Sequence, residues 1–560
     1  MKNKFSTMSH RLNLLRRYAE HIIVGCIVVT TICMGLIGLG NNNYWDDEAE
    51  TAIFAKNYIS YGTFTGWDGK NLYTYRNGAI LDKNLRSINS PLNYIVAAAG
   101  FKIFGINNAA GRVLFVLFGI AALVMFWLLL REEFRNELPL RIYAVALTGL
   151  SYSFLLNIRQ CRYYALCLFF GVAVYYFYLR AVKENKLYWY LLSALAFVLM
   201  FYSNYLLCAA MMFAIMLVHV IFYARRLTFD EHIKMGKAIL LFAAAVIPYV
   251  LYYRIWERHD TEMVGSHLVD KFILLYQNLR ELDTSGYLPG IMLIAGVVSA
   301  IFMRKKNILP DAIYKWIVIV FGYAVALSVL SIQPAVWSGW SGGLADIRYL
   351  ITLLPFCAGI MGAVLYMFHR MRYGAYVGIV LLIILLSSNI LSLSTASSGR
   401  RLLLPGLIKE ICTDYETPYD AVVHFMAKHT RKDDIVYSYP EYTMSVLQFY
   451  LGDNVRIQGC LHDPFPFQRD ALSNVTGLKY INESFPDWIV IFGITPGIPE
   501  MLEYFSRSSF VYKPYAVLPV FVIDMTRPEL PLHHFGPVTD FNVQKQGIYI
   551  LKRTEREVTN

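Results

Sequence analysis

The chain has 560 residues, of which 56% are hydrophobic and only 16% charged, with a formal net charge of +11. A soluble domain carries roughly 25% charged residues, so this composition excludes an ordinary soluble enzyme and points to a polytopic membrane protein. The positive charge does not signal nucleic acid, because Lys and Arg sit in short clusters between apolar runs, the pattern of membrane topology.

Apolar stretches long enough to cross a hydrocarbon core of ~30 Å are read at 20–40, 109–130, 138–157, 162–180, 187–203, 204–224, 236–254, 288–303, 313–332, 349–368 and 374–394. They predict an α-helical polytopic membrane protein with about 11 transmembrane helices. Ser203-Asn204 is the sole break in the pair at 187–224. The first span exceeds a signal-peptide core, and no small-residue cleavage site follows it.

Placing the N-terminus inside makes every inner connection basic. The inner groups are Lys2 to Arg17, then Arg131, Arg135 and Arg141, then Arg180, Lys183 and Lys186. Arg225, Arg226, Lys234 and Lys237 follow, then Arg304, Lys305, Lys306 and Lys315, and last Arg370 and Arg372. This obeys the positive-inside rule. It puts Asp46-Asp47-Glu48, and everything after about residue 395, on the outer face of the membrane.

The first outer loop, 41–108, opens on Trp45 and the acidic cluster and carries Gly-rich turns. It ends in an apolar stretch from Ser90-Pro91-Leu92 to Phe104-Gly105, too short for a span and read as an interfacial helix. A second outer loop, 255–287, is polar and charged. A third, 333–348, holds Trp337 and Trp340 among glycines, a pattern that suits either a lid with aromatic platforms for sugar or a membrane anchor.

Residues 1–400 are therefore expected to form the membrane domain, and 401–560 an extracytoplasmic α/β domain. In the latter, a helix ending at His424–His429, strands at 434–438, 488–492, 520–524 and 547–551, and a helix at 444–451 are predicted. Six of the eight cysteines lie in or beside spans and read as small apolar packing. Cys412 and Cys460 fall in the outer domain, where an oxidising compartment would allow pairing. His533-His534 lack any ligand spacing and read as surface or acceptor contacts.

Carboxylates at a helix start also act as simple caps, and interfacial arginines often reach lipid phosphates. Here Arg159, Arg162 and Arg348 nevertheless stand at outer span ends, against the inside bias, and the acidic cluster likewise falls at the outer end of a different span. A bundle gathering them would suit group transfer from a lipid-anchored phosphate. A carboxylate takes the proton of the attacking hydroxyl, and arginines stabilise the departing phosphate.

The order of these features resembles the C-type glycosyltransferase fold, as in aminoarabinose transferases and protein O-mannosyltransferases. The resemblance rests on Asp47-Glu48, Ser90-Pro91-Leu92, Phe104-Gly105, Asn107, Gly111-Arg112, Arg162-Tyr163-Tyr164-Ala165-Leu166 and Arg348-Tyr349. It implies transfer of a sugar from a polyprenyl-phosphate donor to a lipid, glycan or protein acceptor on the outer face of a bacterial inner membrane, with inversion. It implies Asp47 as general base, with Glu48 orienting it or the acceptor. Arg162, Arg348, Arg159 and Arg86 are the candidates for the donor phosphate, and Tyr164, Tyr349, Trp45 and Pro91 for substrate contacts. Asp46 has no assigned role, although with Asp47 it forms a pair able to hold a divalent metal ion. Asn89-Ser90-Pro91-Leu92 stands where aminoarabinose transferases carry Lys-Pro-Pro-Leu, so the sugar does not carry over. A transporter or flippase of lipid-linked glycans is the competing class, but charges at the outer rim and the absence of a repeat favour an enzyme.

Overall fold

The computed structural model describes residues 2–73, 80–82, 84–253, 268–304, 311–330, 347–393, 402–413, 415–458, 485–492, 510–520 and 546–555. The expected spans all correspond to helices, but not all are full-length spans. Seven helices have the length and apolarity to cross a membrane: Tyr18–Leu36, Asn108–Glu133, Tyr164–Glu184, Tyr205–Tyr223, Phe229–Tyr253, Ala312–Leu330 and Arg348–His369. An eighth passes only as a pair, Leu138–Gly149 and Tyr152–Ile158, bent by 51°. The break is chemical: Ser151 leaves the helix and caps the next one through the Phe154 amide. The stretches at 187–203, 288–303 and 374–394 form helices of 17, 15 and 14 residues. Among the described residues seven helices pass by length and apolarity, or eight with the bent pair, and the remaining expected spans are shorter helices.

We number as follows: α1 Lys2–Leu36, α2 Asp46–Tyr61, α3 Leu92–Phe104, α4 Asn108–Glu133, α5 Leu138–Gly149, α6 Tyr152–Ile158 and α7 Tyr164–Glu184. Two short helices that follow are α8 Leu187–Ser203 and α9 Tyr205–Val218, separated where Asn204 accepts from the Leu207 amide. Then come α10 Phe229–Tyr253, α11 Leu268–Thr284, α12 Gly290–Arg304, α13 Ala312–Leu330, the 3-10 turn Ile347–Leu353, α14 Leu354–His369 and α15 Gly374–Ser387. Part of the second outer loop is α11, an amphipathic helix. It buries Leu274, Asn278 and Leu282 while Leu268, Val269, Phe272 and Tyr276 stay exposed along one stripe.

The C-terminal region is an α/β unit with α16 Leu404–Ile411, α17 Pro418–His429, β1 Ile435–Tyr439, α18 Met444–Leu451, β2 Arg456–Gln458, β3 Trp488–Phe492, β4 Phe510–Val520 and β5 Gln546–Glu555. Its sheet runs β2-β1-β3-β5-β4, parallel among β2, β1 and β3 and antiparallel at β3–β5 and β5–β4. A capping box of Thr417 and Asp420 with Pro418 in the first turn starts α17. Of the expected strand at 520–524, only Val520 lies among the described residues, where it ends β4. Trp337, Trp340, Cys460 and His533-His534 lie outside the described residues.

This unit is docked on the first loop. Asn43 N–H donates to Asp420 at 2.9 Å, and Tyr44 N–H to the Tyr450 hydroxyl at 2.7 Å. The Ser445 hydroxyl donates to the Asp46 carbonyl at 3.0 Å, and Asn71 bonds both the Gly452 carbonyl and the Ile457 amide. The chain entering α2 is thus held from the C-terminal side.

Candidate active site

α2 opens with three acids in its first turn, which its positive N-terminal end favours. It closes at Gly62, whose left-handed φ of 71° lets its N–H reach the Tyr58 carbonyl. Successive residues on a helix are about 100° apart, so Asp46, Asp47 and Glu48 face different surroundings.

Glu48, 1% exposed at its side chain, is closed off. Arg112 of α4 donates Nε at 2.9 Å and Nη2 at 2.6 Å to its two oxygens, and the Cys161 amide adds a bond of 2.6 Å. The Arg112 guanidinium also reaches the carbonyls of Leu39 and Asn42 and lies over the Tyr44 ring at 4.9 Å. Gly111 makes this possible, because a Cβ there would collide with the Tyr44 hydroxyl, which bonds the Asn107 carbonyl at 2.9 Å. Glu48 therefore anchors α2 to α4 and to the turn before α7.

Asp47 keeps 22% of its side chain exposed and faces two guanidinium groups. Arg162 Nη2 lies 3.3 Å from Oδ1, and Arg348 pairs with Oδ2. Arg348, opening the 3-10 turn, is flanked by the rings of Trp45 at 5.8 Å and Tyr349 at 5.6 Å. Arg162 continues down the same face of α2. Its Nη1 donates to Thr51 at 3.1 Å, and its Nη2 lies 3.5 Å from Glu50. Burial alone would lower the pKa of Arg162, but the charges of Asp47 and Glu50 outweigh it and hold the guanidinium well above its ordinary value.

Asp46 is buried at 6% exposure, and its Oδ1 accepts the Asp47 amide at 2.9 Å. Burial first, then the charge of Asp47, push its carboxyl well above the ordinary aspartate range. The donor set does not fit a divalent cation at Asp46 and Asp47. Both oxygens of Asp47 already face guanidinium cations, and among the described residues no three His, Cys, Asp or Glu are grouped as ligands.

Other residues singled out in the sequence lie apart. Arg159 caps the end of α1, with Nη1 on the carbonyls of Met34, Gly35 and Ile37 at 2.7–3.1 Å. Its charged neighbours are Arg112, Glu410 and Glu48 rather than Asp47. Arg86 reaches the Tyr252 hydroxyl at 3.5 Å at the end of α10. Pro91 starts α3, its carbonyl taking the Ile95 amide. Tyr164 is buried edge-on against Tyr163. Tyr163, not singled out, is the ring beside Arg162, at 5.7 Å. Glu50 was also passed over, although its spacing of three residues from Asp47 puts both on one helix face.

Residues 89–252 match the family model described as dolichyl-phosphate-mannose-protein mannosyltransferase. No protein of curated function matches the sequence. Among solved structures, the chain is similar to ArnT from Cupriavidus metallidurans in the apo state, with 13% identity over 94% of this chain and 97% of that one and a TM-score of 0.52. It also resembles the Archaeoglobus fulgidus oligosaccharyltransferase, at 12% identity, 95% and 75% coverage and a TM-score of 0.44. Arabinofuranosyltransferase AftD from Mycobacteria matches at 13% identity, 95% and 40% coverage and a TM-score of 0.39. The likeness to ArnT bears out the expected fold, and with the family match it bears out the class, a polytopic membrane glycosyltransferase with the C-type fold.

Proposed function

We propose that this protein moves a sugar from a polyprenyl-phosphate donor to an acceptor on the outer face of the membrane, inverting the anomeric centre. The observation carrying this reading is Asp47. It is a partly exposed carboxylate with two guanidinium groups on it, contributed by parts of the chain as far apart as residues 162 and 348. One site thus holds both a proton acceptor and the cations that a phosphate leaving group requires.

The reaction is a single displacement. The acceptor hydroxyl oxygen attacks the anomeric carbon as its proton passes to a carboxylate oxygen of Asp47. The bond between that carbon and the phosphate oxygen breaks, and its electron pair leaves on the phosphate. Arg162 and Arg348 stabilise the developing charge bidentately. A phosphate needs no proton to depart, so no acid partner is called for. Trp45 and Tyr349, which flank Arg348, give the sugar apolar faces to rest on. The family match to mannosyltransferases that use a dolichyl-phosphate sugar supports the donor class.

The test is mass spectrometry of envelope glycolipids, polysaccharides and glycoproteins from cells with and without the gene. A sugar mass lost on deletion and restored by the wild-type gene, but not by Asp47→Asn, is the expected result. An unchanged envelope, or full restoration by Asp47→Asn with folded protein, would refute the reading.

A further inference from the structure

We infer that Glu50 is a positioning residue of the reaction centre, a second carboxylate that shares Arg162 with Asp47 and keeps the guanidinium in place when a phosphate arrives. This inference rests on the assignment of Asp47 and its arginines above.

Glu50 is 6% exposed, and its two oxygens have different partners. Oε2 lies 3.5 Å from Arg162 Nη2. Oε1 accepts from the Asn89 amide at 3.1 Å and from the Tyr94 hydroxyl at 3.3 Å, and that hydroxyl is in turn bonded to Ser87 at 3.0 Å. Tyr94 is itself nearly inaccessible, so this side of Glu50 is fixed by packing. Glu50 thus ties the guanidinium to the loop before α3.

The charge count gives this tie its purpose. Among these four groups, Arg162 and Arg348 supply two positive charges, and Asp47 and Glu50 two negative ones. An incoming phosphate must compete with Asp47 for the guanidinium groups. Without a second anchor, Arg162 would follow either the phosphate or Asp47 entirely. Glu50 holds the same Nη2 that faces Asp47, and Thr51 holds Nη1, so the guanidinium keeps these contacts when the one to Asp47 gives way to phosphate. Its Nε is buried with no hydrogen-bond partner among the described residues, a donor left for an oxygen that comes from outside. Glu50 therefore sets two quantities together: how strongly the phosphate is held, and how far Asp47 is released to act as base.

The test uses the full-length protein in lipid nanodiscs, with undecaprenyl phosphate as the binding probe. Turnover is read as formation of the glycan lost on gene deletion. Glu50→Gln removes one negative charge beside the phosphate position. Undecaprenyl phosphate is then expected to bind about three- to tenfold more tightly, while turnover falls by about tenfold because product phosphate leaves slowly. Glu50→Asp restores part of the turnover. A merely structural role predicts the opposite pattern, with binding and turnover failing together in proportion to lost folded protein, and that result overturns the inference. Wild-type values in Glu50→Gln beside an inactive Asp47→Asn also overturn it, leaving the proposed function standing. An active Asp47→Asn is the separate outcome that removes the function reading itself.

Discussion

Arg112 holds both oxygens of Glu48 at 2.9 and 2.6 Å, with both side chains buried. The pair joins α4 to the start of α2 and is separate from the arginines of Asp47. Breaking it leaves an uncompensated buried charge, which costs roughly 3–5 kcal/mol. Arg112→Leu is therefore expected to lower thermal stability sharply. Arg112→Leu combined with Glu48→Leu recovers much of that loss, since neither charge is then stranded. Thermal unfolding of the single and double variants in detergent measures the difference, and a double variant as unstable as the single one contradicts the account.

The arginines divide by what they touch. Arg162 and Arg348 contact Asp47, whereas Arg159 holds the last carbonyls of α1. Arg162→Gln and Arg348→Gln should each weaken binding of undecaprenyl phosphate by about ten- to a hundredfold. Arg159→Gln should leave that affinity within about twofold and lower stability instead, by about 1–3 kcal/mol for the carbonyls it uncovers. Lipid-phosphate titration and thermal unfolding separate these outcomes. Weaker binding on loss of Arg159 would return it to the donor site.

Which parts of this picture were legible in the sequence follows from the range of the forces involved. Apolar runs and basic connections act locally, so the helices at 108–133 and 164–184 and the strand at 488–492 were all readable. The acidic cluster and the two arginines of Asp47 were also visible, because charges at span ends are few. Assigning each carboxylate was not possible. Glu48 and Arg112 are 64 positions apart, and only the tertiary fold that brings Arg112 to the start of α2 decides that Glu48, not Asp47, is enclosed. The long Arg159 side chain likewise finds α1 carbonyls 122 to 125 positions away. The broken span at 149–151 escaped because hydropathy averages over a window, while the break depends on one serine cap.

Asp46 makes stability depend on pH. Its folded pKa is raised, by burial first and by Asp47 second, so the folded protein holds this proton more tightly than the unfolded chain does. The stabilisation is full below the ordinary aspartate value of about 3.9, and it is lost as pH rises through the raised folded value. Asp46→Asn preserves the oxygen that accepts the Asp47 amide and removes the titration. The variant should be more stable than wild type at neutral pH, with the gap closing on acidification to about pH 4. Unfolding temperatures measured across that range check it, and a gap that widens toward acid would show that Asp46 is stabilising as a carboxylate.

Tyr450 ties the C-terminal unit to the acidic cluster through one hydroxyl. It accepts the Tyr44 amide at 2.7 Å and donates to Asn108 at 2.6 Å, so it joins α18, the start of α2 and the start of α4. Tyr44 is completely buried, and no solvent is at hand to replace the lost acceptor. Tyr450→Phe keeps the ring, which packs edge-on against Phe449, and deletes only these two bonds. Leaving a buried amide unsatisfied costs about 1–3 kcal/mol, and that loss falls on the segment that fixes where Asp47 stands. Turnover should drop by about tenfold, with undecaprenyl phosphate affinity changing less than twofold, because Arg162 and Arg348 are carried by other parts of the chain. Parallel binding and turnover measurements on folded protein decide the point. Equal losses in both would mean that the hydroxyl supports the whole bundle rather than the seat of the base.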